Sequence, residues 1–87
     1  MNIIQTLNQS IIEFNKSQYK FKIINDESFE LIGQNSLLDS MAIVNFLLLL
    51  ENKIFENHNI KKNLMNDVFI NGKGKLNIKS LVLILNK

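Results

Sequence analysis

Few side chains in this sequence could carry out acid–base or nucleophilic chemistry. The chain has no cysteine and a single histidine, His58, which Asn57 and Asn59 flank in a polar stretch. Zinc sites draw several ligands from Cys, His and carboxylates, so a lone histidine without cysteines does not predict one. We expect His58 to be a solvated loop residue, and we expect the chain to bind no metal.

Two further segments hold residue types that active sites use. Asp26, Glu27 and Glu30 form an acidic stretch, which predicts a solvated surface. Gly72 and Gly74 lack the rest of any phosphate-binding pattern and predict a loop. Since no set of nucleophile, base and orienting group can be assembled, we expect no catalytic residues and no enzymatic activity.

The remaining candidate is a hydroxyl group at the predicted start of a very apolar helix. Residues 33–36 are a turn signal, and Ser36 and Asp39 have the spacing of a capping-box variant ahead of Ser40. Free N–H groups and the helix dipole favour an anionic group at such a position. Ser40 is therefore suited to carry a phosphodiester, and Asp39 could help to place a metal ion held by a modifying enzyme. From the residues alone, the commoner alternative is that Asp39 and Ser40 only cap the helix.

Helices must position this hydroxyl, because apolar residues recur at three- and four-residue spacing along most of the chain. Tyr19, Phe21 and Ile23 alternate with lysines as a strand would, but no second alternating run could pair with them. The predicted fold is therefore all-α, a small bundle of three main helices plus a short helix, with a long first loop. The predicted segments are a helix over 2–15, the loop over 16–38, a helix from 39 or 40 to 54, a short helix near 64–69, a loop over 71–74, and a helix over 78–86 capped by Asn77.

Length and composition indicate one small globular domain over residues 1–87. Of these residues, 46% are hydrophobic and 21% are charged. The predicted core comprises residues that share stripes at helical spacing: Ile4, Leu7, Ile11, Phe46, Leu50, Ile54, Leu81 and Leu85.

Charge and hydropathy argue against two classes of partner. The net charge is +2, carried by scattered lysines without any arginine, the residue best suited to bidentate recognition of phosphates and bases. We therefore expect no nucleic-acid binding. The longest apolar run is far short of the ~20 residues that a membrane span needs. No secretory signal is visible at the N-terminus, so we expect a cytoplasmic location. We also expect the chain to be a monomer.

The segment from Leu31 to Glu51, with Asp39-Ser40-Met41 followed by a long apolar run, resembles the signature of acyl carrier proteins. It is also similar to that of D-alanyl carrier proteins, which load an amino acid on the same arm. The resemblance covers nearly the whole chain. It implies that Ser40 takes a 4′-phosphopantetheine arm from coenzyme A, that Asp39 is its acidic neighbour, and that Met41 and Val44 border the arm.

The resemblance also implies partners. These are a phosphopantetheinyl transferase, a ligase that activates acyl or aminoacyl groups, and an acyltransferase or synthase. Carriers of fatty-acid synthesis show a row of carboxylates on the second helix, whereas the corresponding positions here are Ala42, Asn45 and Asn52. Only Glu51 keeps the charge, and Lys53 reverses it. We therefore predict a carrier of a specialised biosynthetic pathway, recognised through an exposed apolar stripe formed by Met41, Val44 and Leu48.

Two other functions are compatible with the sequence. The first is a small helical adaptor that binds a protein through its apolar second helix, with Ser40 acting only as a cap. The second is a helical nucleic-acid-binding domain, which the pI near 9.0 would favour. The absence of arginine and of an ordered basic helix face argues against the second function.

Overall fold

A computed structural model of the chain describes residues 2–17, 22–34, 36, 38–69 and 75–86. Its elements are, in order, α1 (Ile3–Ser17), β1 (Glu30–Ile32), α2 (Ser40–His58), α3 (Leu64–Phe69), β2 (Leu76–Asn77) and α4 (Ile78–Leu85). The four predicted helices are confirmed, although α1 and α2 continue past their predicted ends. Tyr19, Phe21 and the predicted loop over 71–74 lie outside the described residues. None of the described helices is long and apolar enough to cross a membrane.

The prediction of a strictly all-α fold was wrong, because the structure contains a small antiparallel sheet. Glu30 of β1 pairs with Asn77 of β2, and Ile32 pairs with Leu76, with an irregular register between them. Backbone bonds continue this link beyond the strands, since the N–H of Ile78 donates to the carbonyl of Phe29 at 3.1 Å. Backbone hydrogen bonds therefore connect the long segment between α1 and α2 to the start of α4.

The core is formed where α1 packs against α2 and the shorter elements close over them. The rings of Phe14 and Phe46 meet edge to face with their centroids 5.5 Å apart, a favourable geometry for two aromatic rings. Seven of the eight predicted core residues are buried. Further buried residues are Phe14, Ile23, Leu31, Ile43, Leu47, Leu64, Val68, Leu76 and Ile78.

Ile4 is the exception to the predicted core, with 36% of its surface exposed. The buried side of α1 includes Thr6 and Ser10 as well as Leu7, so it is rotated away from Ile4. The hydroxyl of Ser10 is satisfied by donating to the carbonyl of Thr6 at 2.9 Å, as buried polar groups require. Two small hydroxyl residues, Thr6 and Ser10, thus lie on the buried side of α1, where the hydrophobic pattern had predicted Ile4.

His58 is the last residue of α2 and is half-buried, so the prediction of a solvated loop residue was wrong. Its Nε2 shares a hydrogen bond of 2.8 Å with Oγ1 of Thr6. The neighbouring Asn57 donates from Nδ2 to Oε1 of Gln9 at 3.2 Å. The polar stretch at the end of α2 therefore holds that end against α1.

Asparagines mark several helix ends. Asn77 caps α4 as predicted, because its side chain accepts a bond from the N–H of Ser80 at 2.8 Å. Asn59 follows α2 with a φ of 55°, and its N–H donates to the carbonyl of Phe55 at 2.9 Å. Asparagine tolerates this left-handed conformation better than most residues, so it can end a helix as glycine does.

Leu50 provides a test of this core, since it is fully buried in α2. Leu50→Ala should lower the free energy of unfolding by about 2–5 kcal/mol, because it removes buried methyl groups and leaves a cavity. Leu83→Ala is the matched control, since Leu83 is 60% exposed on α4 and its truncation should cost far less. Urea denaturation measures both values. A loss well under 1 kcal/mol for Leu50→Ala would show that α2 turns another side inward.

Candidate functional site

Ser40 is the first residue of α2 and is exposed, as its predicted role requires. Asp39 precedes it in an extended conformation with φ −82° and ψ 173°. Oδ1 of Asp39 accepts a bond from the N–H of Ala42 at 2.8 Å, which makes Asp39 the N-cap of the helix. Among the described residues, none forms a hydrogen bond with the Ser40 hydroxyl. The Ser40 hydroxyl is thus exposed to solvent at the start of a capped helix.

Ser36 fixes the segment that leads into the site, a role that the sequence did not reveal. Its hydroxyl donates to the carbonyl of Leu31 at 2.7 Å and accepts from the N–H of Leu38 at 3.2 Å. It therefore does not form the predicted capping box with Asp39. Because Leu31 is a buried residue of β1, these bonds connect the approach to Ser40 with the sheet.

Gly33 makes the turn between β1 and Ser36 possible. Its φ is +152°, a backbone conformation that residues with a side chain rarely adopt. A Cβ atom added there would lie 3.2 Å from Oε2 of Glu30, which is tighter than ordinary contact. Glu30 therefore does not belong to a wholly solvated acidic stretch, because it is half-buried in β1 beside this turn. The turn signal predicted at residues 33–36 is confirmed at Gly33.

The electrostatic environment of Ser40 suits an attached anion. The first N–H groups of a helix have no partner within the helix and carry its partial positive charge. Asp39 accepts a bond from the N–H of Ala42, and among the described residues no backbone bond is formed by the N–H groups of Ser40 and Met41. A phosphodiester on the Ser40 hydroxyl would lie beside these groups.

The single histidine of the sequence does not lie beside this hydroxyl. His58 lies at the opposite end of α2, about 27 Å from Ser40 at 1.5 Å per residue. Asp39 is the adjacent acid, and one of its oxygens is already engaged in the cap.

The predicted exposure of the apolar stripe next to Ser40 is confirmed for two of its three residues. Met41 is 67% exposed and Leu48 is 47% exposed, whereas Val44 is half-buried. Phe55, which is 46% exposed, extends the stripe and was not predicted. We call the exposed positions that recur at three- and four-residue spacing the α2 outer face: Met41, Asn45, Leu48, Asn52 and Phe55.

Two charged side chains of α2, Glu51 and Lys53, make contacts with other elements of the fold. Glu51 is half-buried, and its Oε1 accepts a bond from the N–H of Leu64 at the start of α3, 3.0 Å away. Lys53 lies 2.9 Å from Oε1 of Glu13 on α1, and this hydrogen bond raises the pKa of Lys53. Ala42 is half-buried rather than exposed. Glu51 and Lys53 therefore contact other elements, and the five positions of the α2 outer face carry no charge. The exposed Glu56 is the remaining charged residue of α2.

The remaining acidic residues do not assemble into a site. Asp26 accepts bonds from the N–H and hydroxyl of Ser28, at 2.9 and 2.8 Å, and the backbone bond is the larger cause of its lowered pKa. No three His, Cys, Asp or Glu side chains within the described parts of the chain could hold a metal ion together.

A shallow cavity of about 90 Å³ lies beside the sheet, between Glu30, Lys75 and Ser80.

Comparisons with protein-family models, with curated proteins and with solved structures find no match to this chain. What points to a function is therefore the geometry at the start of α2 and the residues that surround it.

The cap provides a test of the site's architecture. Asp39→Ala should lower the free energy of unfolding by about 1 kcal/mol, because the N–H of Ala42 loses its acceptor. Asp39→Asn keeps a side-chain oxygen at that position and should change stability by much less. Urea denaturation of both variants measures the difference. Equal losses would show that the charge of Asp39, rather than its hydrogen bond, supports the helix.

Proposed function

We propose that this chain is a carrier protein whose Ser40 hydroxyl bears a 4′-phosphopantetheine arm. The observation that carries the proposal is the exposed position of Ser40 at the first residue of α2, directly after the capping Asp39. The likeness of residues 31–51 to the acyl-carrier signature supports the same role. The described residues would fit the group, because the helix start offers unpaired N–H groups to its phosphate.

Attachment would proceed by attack of the Ser40 oxygen on a phosphate of coenzyme A. The bond between this oxygen and phosphorus forms as the bond to the adenosine bisphosphate leaving group breaks. The transferase would supply Mg²⁺ and the base that accepts the hydroxyl proton, since the chain's single histidine lies at the far end of α2. The free oxygen of Asp39 is placed to help orient that metal ion during the encounter.

The loaded protein would hold its substrate as a thioester on the thiol of the arm. A thioester is an activated acyl donor, and tethering replaces free diffusion by a high effective concentration at the next enzyme. The chain itself performs no step of the chemistry. Its folded part presents the arm, and its surface determines which enzymes bind.

The partners of the proposed carrier are the transferase, a ligase that activates an acyl or aminoacyl group, and an acyltransferase or synthase. The α2 outer face adjoins Ser40 and carries no charge, so it favours enzymes that dock through apolar contacts. A face of this kind suits a dedicated pathway better than the general fatty-acid carrier, and the proposed location is the cytoplasm.

One observation favours a second function. The exposed side chains of Met41, Leu48 and Phe55 would also serve an adaptor that binds another protein through α2, with Ser40 only starting the helix. The adaptor needs no arm, so modification of Ser40 distinguishes the two functions.

Modification tests the carrier function directly. After incubation with coenzyme A, Mg²⁺ and a transferase of broad specificity, the intact mass should increase by one phosphopantetheine group. Ser40→Ala should gain nothing. It should remain folded, because Asp39 rather than Ser40 is the capping side chain.

Two controls sharpen this experiment. Ser36→Ala should still be modified, because the Ser36 hydroxyl is bonded to Leu31 and Leu38. Asp39→Asn, which retains a cap, should be modified more slowly if the carboxylate helps to place the metal ion. If Ser40→Ala were modified, or if the wild type were not modified, the carrier function would be contradicted and the adaptor function would be favoured.

Docking of a loading enzyme should depend on apolar contacts rather than on charge. Affinity for the enzyme should fall only modestly between low and high salt, since the α2 outer face has no charges to screen. Leu48→Glu should weaken binding strongly, because it places a charge at the centre of that face. Leu83→Glu, an equally drastic change at an exposed position on α4, should leave binding unchanged.

Isothermal titration measures these affinities, and circular dichroism confirms that both variants are folded. A steep salt dependence together with a harmless Leu48→Glu would show that charge governs docking and that the α2 outer face is not the contact.

A further inference from the structure

The α2 outer face is unusual for an exposed helix surface because its five positions carry no charge. Two nearby charges contact other elements, as Glu51 bonds to the backbone of Leu64 and Lys53 pairs with Glu13. The exposed Glu56 and Lys61 lie at the rim of the face, beside Phe55. A charged group docking at the centre of the face would lose hydration against Leu48 without meeting an opposite charge among the five positions. The face therefore fits a surface that is itself apolar and interspersed with amides.

The spacing of the apolar residues is symmetric about Leu48. Met41 lies seven residues before it, and Phe55 lies seven residues after it. At 1.5 Å per residue the stripe is about 21 Å long. If two such helices cross antiparallel about a two-fold axis at Leu48, each Met41 meets the other copy's Phe55, and the two Leu48 side chains meet each other.

We propose that a second copy of this chain occupies the α2 outer face in a two-fold symmetric, antiparallel dimer centred on Leu48. The contact is isologous, since the same patch is used on both copies. Methionine against phenylalanine is a favourable pair, because the thioether packs well at an aromatic ring edge.

The two asparagines of the face support pairing with itself. Asn45 lies three residues before Leu48 and Asn52 four residues after it, so each approaches the other across the axis. An amide side chain both donates and accepts, so two asparagines can satisfy each other without a charged partner. Asparagines within apolar helix contacts also fix the register of the pair.

The charges at the two ends favour the antiparallel arrangement over the parallel one. The exposed Asp39 lies at the start of α2, while Nζ of Lys61 lies 5.9 Å from the ring centroid of Phe55 at its far end. Antiparallel pairing brings Lys61 of one copy toward Asp39 of the other. It also brings Glu56, at the rim of the face, toward the positive end of the other helix dipole.

The dimer is expected to be weak, because one helix per copy buries less than the ~800 Å² per partner of a standard interface. The net charge of +2 per copy adds little repulsion. Dilute protein is then monomeric, in line with the expectation from the sequence, and association appears toward millimolar concentration. Since the contact needs no modification of Ser40, it stands apart from the carrier function.

Sedimentation equilibrium at rising concentration tests the dimer. The average mass should rise from the 10.1 kDa of one chain toward twice that value. Leu48→Glu and Leu48→Lys should each stay monomeric, because two like charges would meet at the axis. An equal mixture of the two variants should associate again, because the axis then joins opposite charges. A wild type that stays at one chain's mass, or variants that dimerise unmixed, would overturn the proposal.

A second measurement tests the dimer without the charged variants, and so remains informative if those variants fold poorly. Leu48→Cys adds the only thiol of the chain, so an intermolecular disulfide must join residue 48 of two copies. A copper–phenanthroline oxidant with dissolved oxygen accepts the two electrons and two protons that the thiols lose. Leu48→Cys should crosslink several-fold faster than Leu83→Cys, although Leu83 is the more exposed of the two. Equal rates would show random collision and overturn the proposal.

Discussion

The burial of one side of α2 is the constraint on which the rest of this structure depends. Phe46, Leu47, Leu50 and Ile54 are all nearly inaccessible to solvent, so α2 cannot rotate without exposing a large apolar area. This fixed rotation has two consequences. It turns Lys53 toward Glu13 on α1, and it leaves the α2 outer face in solvent. Three apolar residues of the helix therefore stay exposed on that face: Met41, Leu48 and Phe55.

The start of α2 is fixed as firmly as its buried side. Asp39 satisfies one N–H of the first turn, while Ser36 ties the preceding segment to β1, which itself pairs with β2 ahead of α4. Ser40 is thus positioned by hydrogen bonds from both directions, although its own hydroxyl is exposed. Under the proposed carrier function this placement would favour the encounter with the transferase, because the chain around Ser40 is arranged before the encounter.

The helices and most of the core could be predicted from the sequence, because periodicity is a local signal. The strands could not, since β1 and β2 have three and two residues and show no alternation. Their pairing depends on contacts between distant parts of the chain. The contacts of His58 and Glu51 could not be predicted for the same reason. His58 bonds to Thr6 on α1, and Glu51 bonds to the backbone of Leu64 at the start of α3. The start of α2 was predictable because an N-cap is defined by its immediate neighbours.

The α2 outer face serves both proposals, so a second copy and a loading enzyme would compete for it. A partner that binds only the monomer has its apparent affinity reduced by the fraction of chains that are monomeric. Because a contact of one helix per copy is weak, that fraction stays near one in dilute solution and falls only where the protein is concentrated. The dimer would then cover Met41 and Leu48 when partners are scarce. Its short lifetime would leave the face accessible whenever an enzyme with a larger apolar contact is present.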